Sequence, residues 1–400
     1  MSVTPLRPRH RLKSGFIVER HLGGGGFSLV YLMRDKEGRA WAVKECCCDD
    51  YVYRCPKDNA SLLVRKDKNK AAKKIHEHLC NSVRKEARQF SSEKFRHPHL
   101  LPIFGSFEEN NTVYLKTFYI DGVTLEDIDT EVQASTLEWR LELFEKIAAA
   151  VKHLHRVDLI HRDIKTQNIM LIKGYEDNPN PIVIDTGHAR EYKDSSKDLT
   201  LIDTPFCAPE TNNKGTKFGK PGPASDCFAL AGVFYWLMTS QRPPTWTARD
   251  LEITSNRQDP LKQPFSINDA AWAVLRPTLS LNVTERESDP IELAENLRIA
   301  YGYPPRIKNV IVEDADGSGQ KIDEKIDSPL SPQSSDWIVA ILLNVAFFAF
   351  AWVILELVIP EFWVLWLGSV GVVHVITIAV ASHRTGFLPS AIMPVKNIID

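Results

Sequence analysis

An excess of charge of either sign is what this chain most plainly lacks. Of its 400 residues, 49 are Lys or Arg and 51 are Asp or Glu, leaving a formal net charge of only −2. Domains that bind nucleic acid usually carry a basic excess, so the balance gives no reason to expect such a partner. Cysteine is scarce and badly spaced for bridging. There are 7, an odd number, and the adjacent Cys46, Cys47 and Cys48 cannot all pair locally, which argues against a disulfide framework and for a reducing, cytosolic setting. Paired Cys-x-x-Cys spacing is absent too. Cys55, His76, His78 and Cys80, within the basic stretch 51–84, therefore lack the pattern of a zinc site; that stretch reads as a solvated basic helix, with contact to anionic lipid head groups as a further option. The opening residues MSVTPLRPRHRLKSGF contain no apolar core of the kind a secretory signal needs.

Long apolar runs are missing from residues 1–305, which read as a globular domain. They arrive late. Residues 306–336 are rich in Asp, Ser, Pro and Lys without periodicity and read as a flexible linker. Asp314-Ala315-Asp316-Gly317-Ser318-Gly319 begins like a calcium loop, but Lys325 stands where a bidentate glutamate is needed. Two runs follow, 337–358 (WIVAILLNVAFFAFAWVILELV) and 362–381 (FWVLWLGSVGVVHVITIAVA), each long enough to cross about 30 Å of hydrocarbon as a helix. The turn between them carries only Glu361, whereas His383, Arg384 and Lys396 follow the second run. Positive charge there is expected to keep the tail, 382–400, on the cytoplasmic side. The expectation is a transmembrane hairpin in the cell (inner) membrane, with both the N-terminal domain and the C-terminus cytoplasmic. A lipid bilayer is then a partner, and anchoring or homodimerisation within it is the modest role assigned to the hairpin.

The densest chemistry lies in His161-Arg162-Asp163-Ile164-Lys165-Thr166-Gln167-Asn168. An acid able to accept a hydroxyl proton, a nearby lysine and a metal-binding amide share one short stretch, as phosphoryl transfer requires. Asp163 would orient the attacking hydroxyl, Lys165 would steady the transferring group, and Asn168 would hold Mg²⁺. Upstream, Leu22-Gly23-Gly24-Gly25-Gly26-Phe27-Ser28-Leu29-Val30 can close a β-turn-β backbone over phosphates. Ala42-Val43-Lys44 ends a strand from which a lysine reaches the α- and β-phosphates. That lysine needs an acidic partner on a neighbouring helix; Glu86 is chosen over Glu93, which lies too near the break at Pro98. Two strands follow, LLPIFGSFEE and TVYLKTFYI, with Thr117 facing the back of the nucleotide pocket. Downstream, Ile182-Val183-Ile184-Asp185-Thr186-Gly187 is a buried strand ending in an acid that can chelate Mg²⁺, and Ala208-Pro209-Glu210 precedes an apolar helix beginning around Ser225-Asp226.

In this order the motifs resemble the signature series of eukaryotic-type protein kinases, and phrases such as GGGGFSLVYLMRD, AVKE, FRHPHLLPI and SQRPPTWTARD are similar to bacterial Ser/Thr kinases. The resemblance implies an α+β bilobal protein-kinase fold over residues 13–305, with a small β-rich lobe and a large helical one. It implies ATP as cosubstrate, Mg²⁺ or Mn²⁺ as metal, and Ser or Thr hydroxyls of proteins as acceptors. The nucleotide would be held by Leu22, Gly23, Gly24, Gly25, Gly26, Phe27, Val30, Ala42, Lys44, Thr117 and Met170. Lys44 would pair with Glu86, Asp163 would accept the proton, and Asn168 and Asp185 would ligate the metal. Lys165 and Thr204 are the residues a Ser/Thr-directed kinase carries, with Thr204 supporting Asp163. Asp226 would tie the catalytic loop to the large helix, and Glu210 would pair with Arg286. Arg162 implies control through a phosphorylated hydroxyl, with Ser195, Ser196 and Thr200 in the right segment for autophosphorylation. One departure stands out: Thr186 replaces the aromatic of the Asp-Phe-Gly motif. The alternative class is a membrane-tethered nucleotide-binding pseudokinase scaffold.

Overall fold

Alternating apolar and polar residues set up the first three strands: β1 (Ile17–Gly25), β2 (Ser28–Arg34) and β3 (Ala40–Cys46). The chain is seen here in a computed structural model that describes residues 3–65, 69–191 and 204–305. A short hairpin follows, β4 (Val52–Arg54) with β5 (Leu62–Val64), then a long helix, α1 (Asn69–Phe90), and the pair β6 (Ile103–Glu109) and β7 (Thr112–Phe118). These last are the two strands expected after the helix; β6 starts past Pro102, which has no N–H for a ladder. The main sheet has five strands in the order β1-β2-β3-β7-β6, every neighbour antiparallel.

One face of this sheet buries Tyr31, Met33, Val43 and Tyr114 against Leu6, Leu12 and Val18. The packed domain thus takes in residues that a boundary at 13 leaves out: Val3, Leu6 and Leu12 are all buried, and the Leu6 N–H donates to the Tyr31 hydroxyl at 3.1 Å. Glu45 is fully buried beside them. Burying a carboxylate is tolerable only when it is paired and hydrogen-bonded. Glu45 has Arg54 from β4 at 2.7 Å, and it accepts from the hydroxyls of Tyr31 and Tyr114 at 2.8 and 2.7 Å. This set of bonds fastens the β4–β5 insert to the sheet.

The second lobe is mainly helical. A strand, β8 (Gly122–Thr124), leads to α2 (Asp129–Ala134) and α3 (Leu137–Arg156), whose first turn is capped by Thr136 accepting from the Trp139 N–H. Then come β9 (Leu159–Ile160), β10 (Ile169–Ile172), β11 (Pro181–Val183) and β12 (Arg190–Glu191), forming the small sheets β11-β10-β8 and β12-β9. Beyond them lie α4 (Pro223–Thr239), α5 (Trp246–Thr254), α6 (Asp269–Thr278) and α7 (Pro290–Ala300). Apolar all round, α4 is buried along nearly its whole length, as such a helix must be. Phe234 on α4 meets Phe144 on α3 edge to face at 4.9 Å. The same core continues into the first lobe through Ala87 and Phe90 of α1.

A β-rich small lobe and a helical large lobe are therefore present, as the motif order implied. The linker at 306–336, the expected spans 337–358 and 362–381, the tail 382–400 and the hydroxyls of Ser195, Ser196 and Thr200 lie outside the described residues. Among the described residues no helix is long and apolar enough to cross a membrane.

Candidate active site

Strand register builds the first wall of the site. Lys44 pairs with Val30 on β2 and with Leu115 on β7, and Ala42 pairs with Thr117. Paired residues and positions two apart share a face, so Val30, Ala42, Lys44, Leu115 and Thr117 all lie on one face of the sheet. Leu115 was not singled out from the sequence; only the pairing of β3 with β7 adds it. Thr117 is buried, and its hydroxyl donates to the Ala42 carbonyl at 3.2 Å. The glycine run forms the β1–β2 turn, in which Gly25 pairs with Ser28. At Gly24 an added Cβ would lie 2.3 Å from the Ser28 carbonyl oxygen, so the turn admits only glycine there. Phe27 at its tip is exposed. The turn is fastened to the chain beyond β3: the Cys47 N–H donates to the Phe27 carbonyl at 3.0 Å and the Asp49 N–H to Gly26 at 3.3 Å.

The opposite wall is the loop after β9. Asp226, at the start of α4, is fully buried, and it accepts from the backbone N–H groups of His161 and Arg162 at 2.8 Å each and lies 2.9 Å from His155 Nε2. Burial alone would raise its pKa, but the hydrogen bond and charge of His155 outweigh this and hold the carboxyl below its ordinary range. Arg162 adopts a left-handed backbone with φ of 69°, a conformation that strains a non-glycine residue and is found at sites where the surroundings enforce it. The strain is matched by the two bonds to Asp226, which orient the next residue, Asp163.

Asp163 is the centre of a converging set. Lys165 Nζ lies 2.9 and 2.8 Å from its two carboxylate oxygens, and Asn168 Nδ2 donates to its carbonyl at 2.9 Å and to Oδ2 at 2.8 Å. His188 Nδ1 stands 3.6 Å from the same Oδ2. Burial pushes the Asp163 pKa up, but His188 and Lys165 more than offset it, so the carboxyl is held below its usual range and stays ionised. His188 was not anticipated; it sits just beyond the Asp-Thr-Gly run, and no spacing rule links it to Asp163.

Asp185 faces this set from the end of β11. Its backbone is left-handed, φ 62° and ψ 71°, and its side chain accepts from the Gly187 N–H at 3.3 Å. The Ile184 N–H donates to the Asn168 carbonyl at 2.8 Å, tying the two loops together. Lys44 Nζ is 2.9 Å from Asp185 Oδ1. Burial disfavours both charges, yet each holds the other ionised: Lys44 is raised above the ordinary lysine range and Asp185 lowered well below that of a carboxylate.

The expected Lys44–Glu86 ion pair is not made. Glu86 is buried on α1 and accepts from the Thr186 hydroxyl at 3.1 Å. Two local causes separate the partners. The left-handed turn at Asp185 delivers its carboxylate to Lys44, and Thr186 offers Glu86 a donor that an aromatic side chain could not. Burial raises the Glu86 pKa, only partly countered by the Lys44 charge. Glu93, the rejected alternative, lies in a short 3₁₀ turn and pairs with Arg96 instead.

Other expected partners fall as follows. Glu210 and Arg286 form a fully buried bidentate pair at 2.7 and 3.0 Å, with Ser225 donating to the same carboxylate at 2.6 Å. Thr204 is half-buried and its carbonyl accepts from the Cys207 N–H; among the described residues no hydrogen bond joins it to Asp163. Met170 is half-buried on β10, two residues past Asn168. A divalent cation fits what is present. Asn168 turns its nitrogen to Asp163, which leaves its amide oxygen and Asp185 Oδ2 as hard oxygen donors, suited to a metal completed by phosphates and water. Among the described residues no cluster of three or more His, Cys, Asp or Glu could hold a metal by itself.

Two lobes meeting at a glycine-rich turn, a strand lysine and an Asp-Lys-Asn loop define a phosphotransferase-type site. The chain belongs to the protein kinase family: the model for the protein kinase domain matches residues 50–297. It is 25% identical to human NUAK family SNF1-like kinase 2 over 302 residues, covering 75% of this chain and 42% of that protein. It is 27% identical over 237 residues to the serine/threonine-protein kinase PrkC of Bacillus subtilis, covering 58% and 32% respectively. With calcium-dependent protein kinase 24 of Oryza sativa subsp. japonica it shares 26% over 292 residues, 72% of this chain and 51% of that one. The chain thus spans about half or less of the length of these curated relatives, and its similarity to animal, plant and bacterial kinases is of one size.

Proposed function

We propose that this chain is a membrane-anchored serine/threonine protein kinase, transferring the γ-phosphoryl group of ATP to Ser or Thr hydroxyls of proteins with Mg²⁺ or Mn²⁺. The observation that carries this reading is the Asp163 carboxylate, kept ionised and held by Lys165 and Asn168 at 2.8 to 2.9 Å. An anchored acid of this kind orients an incoming hydroxyl and accepts its proton. Lys165, already beside it, places positive charge where the transferring group accumulates negative charge. Lys44 reaches the α- and β-phosphates from the sheet face it shares with Val30, Ala42, Leu115 and Thr117. Asn168 and Asp185 would hold the metal, which when bound neutralises charge across the phosphates. The relatives named for serine/threonine activity, together with Lys165, support a hydroxyl acceptor on protein.

Membrane attachment rests on the apolar runs 337–358 and 362–381, and places the kinase domain at the cytoplasmic face. Autophosphorylation rests on Arg162 and the hydroxyls of Ser195, Ser196 and Thr200. The deciding experiment is phosphate transfer from labelled ATP by the full chain, to itself and to a generic protein acceptor, beside Asp163→Ala and Lys44→Ala. Transfer should be lost in both variants. Transfer that persists in Asp163→Ala sinks the reading, and nucleotide binding without any turnover in the wild type leaves the pseudokinase scaffold.

A further inference from the structure

Of the three adjacent cysteines on β3 and just after it, Cys46 packs against α1. Successive strand residues face opposite ways, and Cys47 packs with Val3, Val52 and Leu62 instead. Cys46 lies in a small separate cluster with Cys80 of α1 and Val113 of β7, flanked by Leu79 and Val83. The two sulfurs are 3.9 Å apart although the residues are 34 apart in sequence. His76, one helical turn before Cys80, puts Nε2 at 3.7 Å from the Cys80 sulfur and 3.1 Å from the Asn111 carbonyl. The Thr112 hydroxyl is 3.9 Å from Cys80 and also donates to the Cys46 carbonyl.

The electrostatics of the pair are asymmetric. The hydrogen bond between the two sulfurs, and then His76, hold the Cys80 thiol below its ordinary range in spite of burial. The same bond, then burial, pushes Cys46 up. Both shifts favour Cys80 over Cys46 as the sulfur that gives up its proton first. His76 is itself shifted toward its charged form, first by Cys80. A thiolate next to a positive imidazole is the reactive form of cysteine.

We propose that Cys46 and Cys80 form a reversible regulatory disulfide that locks helix α1 to strand β3. Hydrogen peroxide is the oxidant. Cys80, on giving up its proton, attacks one peroxide oxygen as the thiolate, so that an S–O bond forms, the O–O bond breaks and the departing hydroxide takes up the proton that Cys80 released to become water. Cys80 is then a sulfenic acid, oxidised by two electrons while the peroxide is reduced. The Cys46 thiol attacks that sulfur: the S–S bond forms, the S–O bond breaks, and the hydroxyl leaves as water with the proton from Cys46. In sum, two thiols and one peroxide give one disulfide and two waters, and a dithiol reductant reverses it.

The bridge must close a gap of 3.9 Å to the roughly 2 Å of an S–S bond. It pulls on two elements that carry the site: Cys46 is two residues past Lys44, and Cys80 lies six residues before Glu86 on the same helix. A shift of about 1 Å in positioning groups can lower turnover by about a hundredfold, so the oxidised form should be the slow one. That consequence rests on the proposed kinase activity; the cross-link itself does not.

The test uses the full chain, exposed to hydrogen peroxide, alkylated at remaining thiols and digested for mass spectrometry without reduction. A Cys46–Cys80 linked peptide, absent before oxidation and removed by dithiothreitol, is the expected result. Both cysteines still fully alkylated after peroxide, or Cys80 bridged to another cysteine, overturns the proposal. In parallel, ATP turnover of the wild type should fall at least tenfold on oxidation and return with dithiothreitol, whereas Cys80→Ser should keep its rate under peroxide. A linked peptide with unchanged turnover overturns the regulatory part. Absent turnover in the reduced wild type bears on the proposed kinase activity, and the mass spectrum still decides the cross-link.

Discussion

The Thr186 hydroxyl donates to the Glu86 carboxylate across 3.1 Å, both residues buried where α1 meets the Asp185 loop. An aromatic ring at this position would fill space between helix and loop; a threonine instead makes a directional bond. Helix α1 is thus held to the Asp185 loop by a hydrogen bond to the same carboxylate whose expected partner was Lys44.

Removing that hydroxyl leaves a buried carboxylate short of a donor, which typically costs about 1–3 kcal/mol. Thr186→Val, nearly the same shape, should lower stability by that amount in urea unfolding, while Thr186→Ser should retain most of it. Equal stability of Thr186→Val and the wild type contradicts a structural role for the bond.

The buried pair of Glu210 and Arg286 makes a sharper case. Breaking one side of a buried ion pair strands the other charge, at about 3–5 kcal/mol. Glu210→Ala and Arg286→Ala should each be severely destabilised in thermal unfolding, and the double variant should be less destabilised than the sum of the two.

Acid sensitivity should be visible at His97. Its ring stacks on His153 at 5.2 Å and meets His99 at 5.7 Å. Burial, then the charges of those two histidines, pull its pKa down to about 4. An unfolded histidine titrates near about 6.5, so the unfolded chain binds the extra proton between those values. Stability from this group is fully present above about pH 6.5 and is lost as pH falls to about 4. His97→Asn, whose side-chain oxygen can take over the acceptor role toward the His99 N–H, should flatten the stability-versus-pH slope in that window by up to about one proton. An unaltered slope would rule the assignment out.

Metal removal addresses Asn168 and Asp185. Chelation with EDTA should abolish phosphate transfer, and Mg²⁺ or Mn²⁺ should restore it. Asp185→Asn should require far more metal for half-maximal turnover, whereas Phe265→Ser, at an exposed position, should respond like the wild type.

Membrane attachment has a direct readout. A chain shortened by removal of 337–381 should move from the membrane pellet to the supernatant on cell fractionation, whereas the full chain stays in the pellet until detergent is added. A full chain found in the supernatant removes the anchor from the reading.

What the sequence made legible follows from distance along the chain. Asp163, Lys165 and Asn168 sit within six positions of one another, so their types and spacing alone declare a chemistry. The strands β6 and β7 could be read from the sequence, and so could the buried helix α4, although that helix begins at Pro223, two residues before the Ser225 expected. Glu210 with Arg286 and Asp226 with the loop at 161–163 span long separations, and only resemblance to a family pointed to them. The partner of Lys44 was not legible at all. Choosing between Glu86 and Asp185 depends on the φ of Asp185 and on the hydroxyl of Thr186, neither of which periodicity encodes. His188 and the Cys46–Cys80 contact escaped for the same reason: each arises where separate elements meet.

The N-terminal arm carries a practical lesson. Leu6 is joined to Tyr31, Tyr31 to Glu45, and Glu45 directly follows Lys44 in the chain. A shortened form beginning at residue 13 would empty the sockets of Val3, Leu6 and Leu12 and strip a partner from Tyr31. Ligand affinities or inhibitor rankings measured on such a trimmed form would then describe a loosened sheet rather than the protein's own, so the arm belongs in any version used for screening.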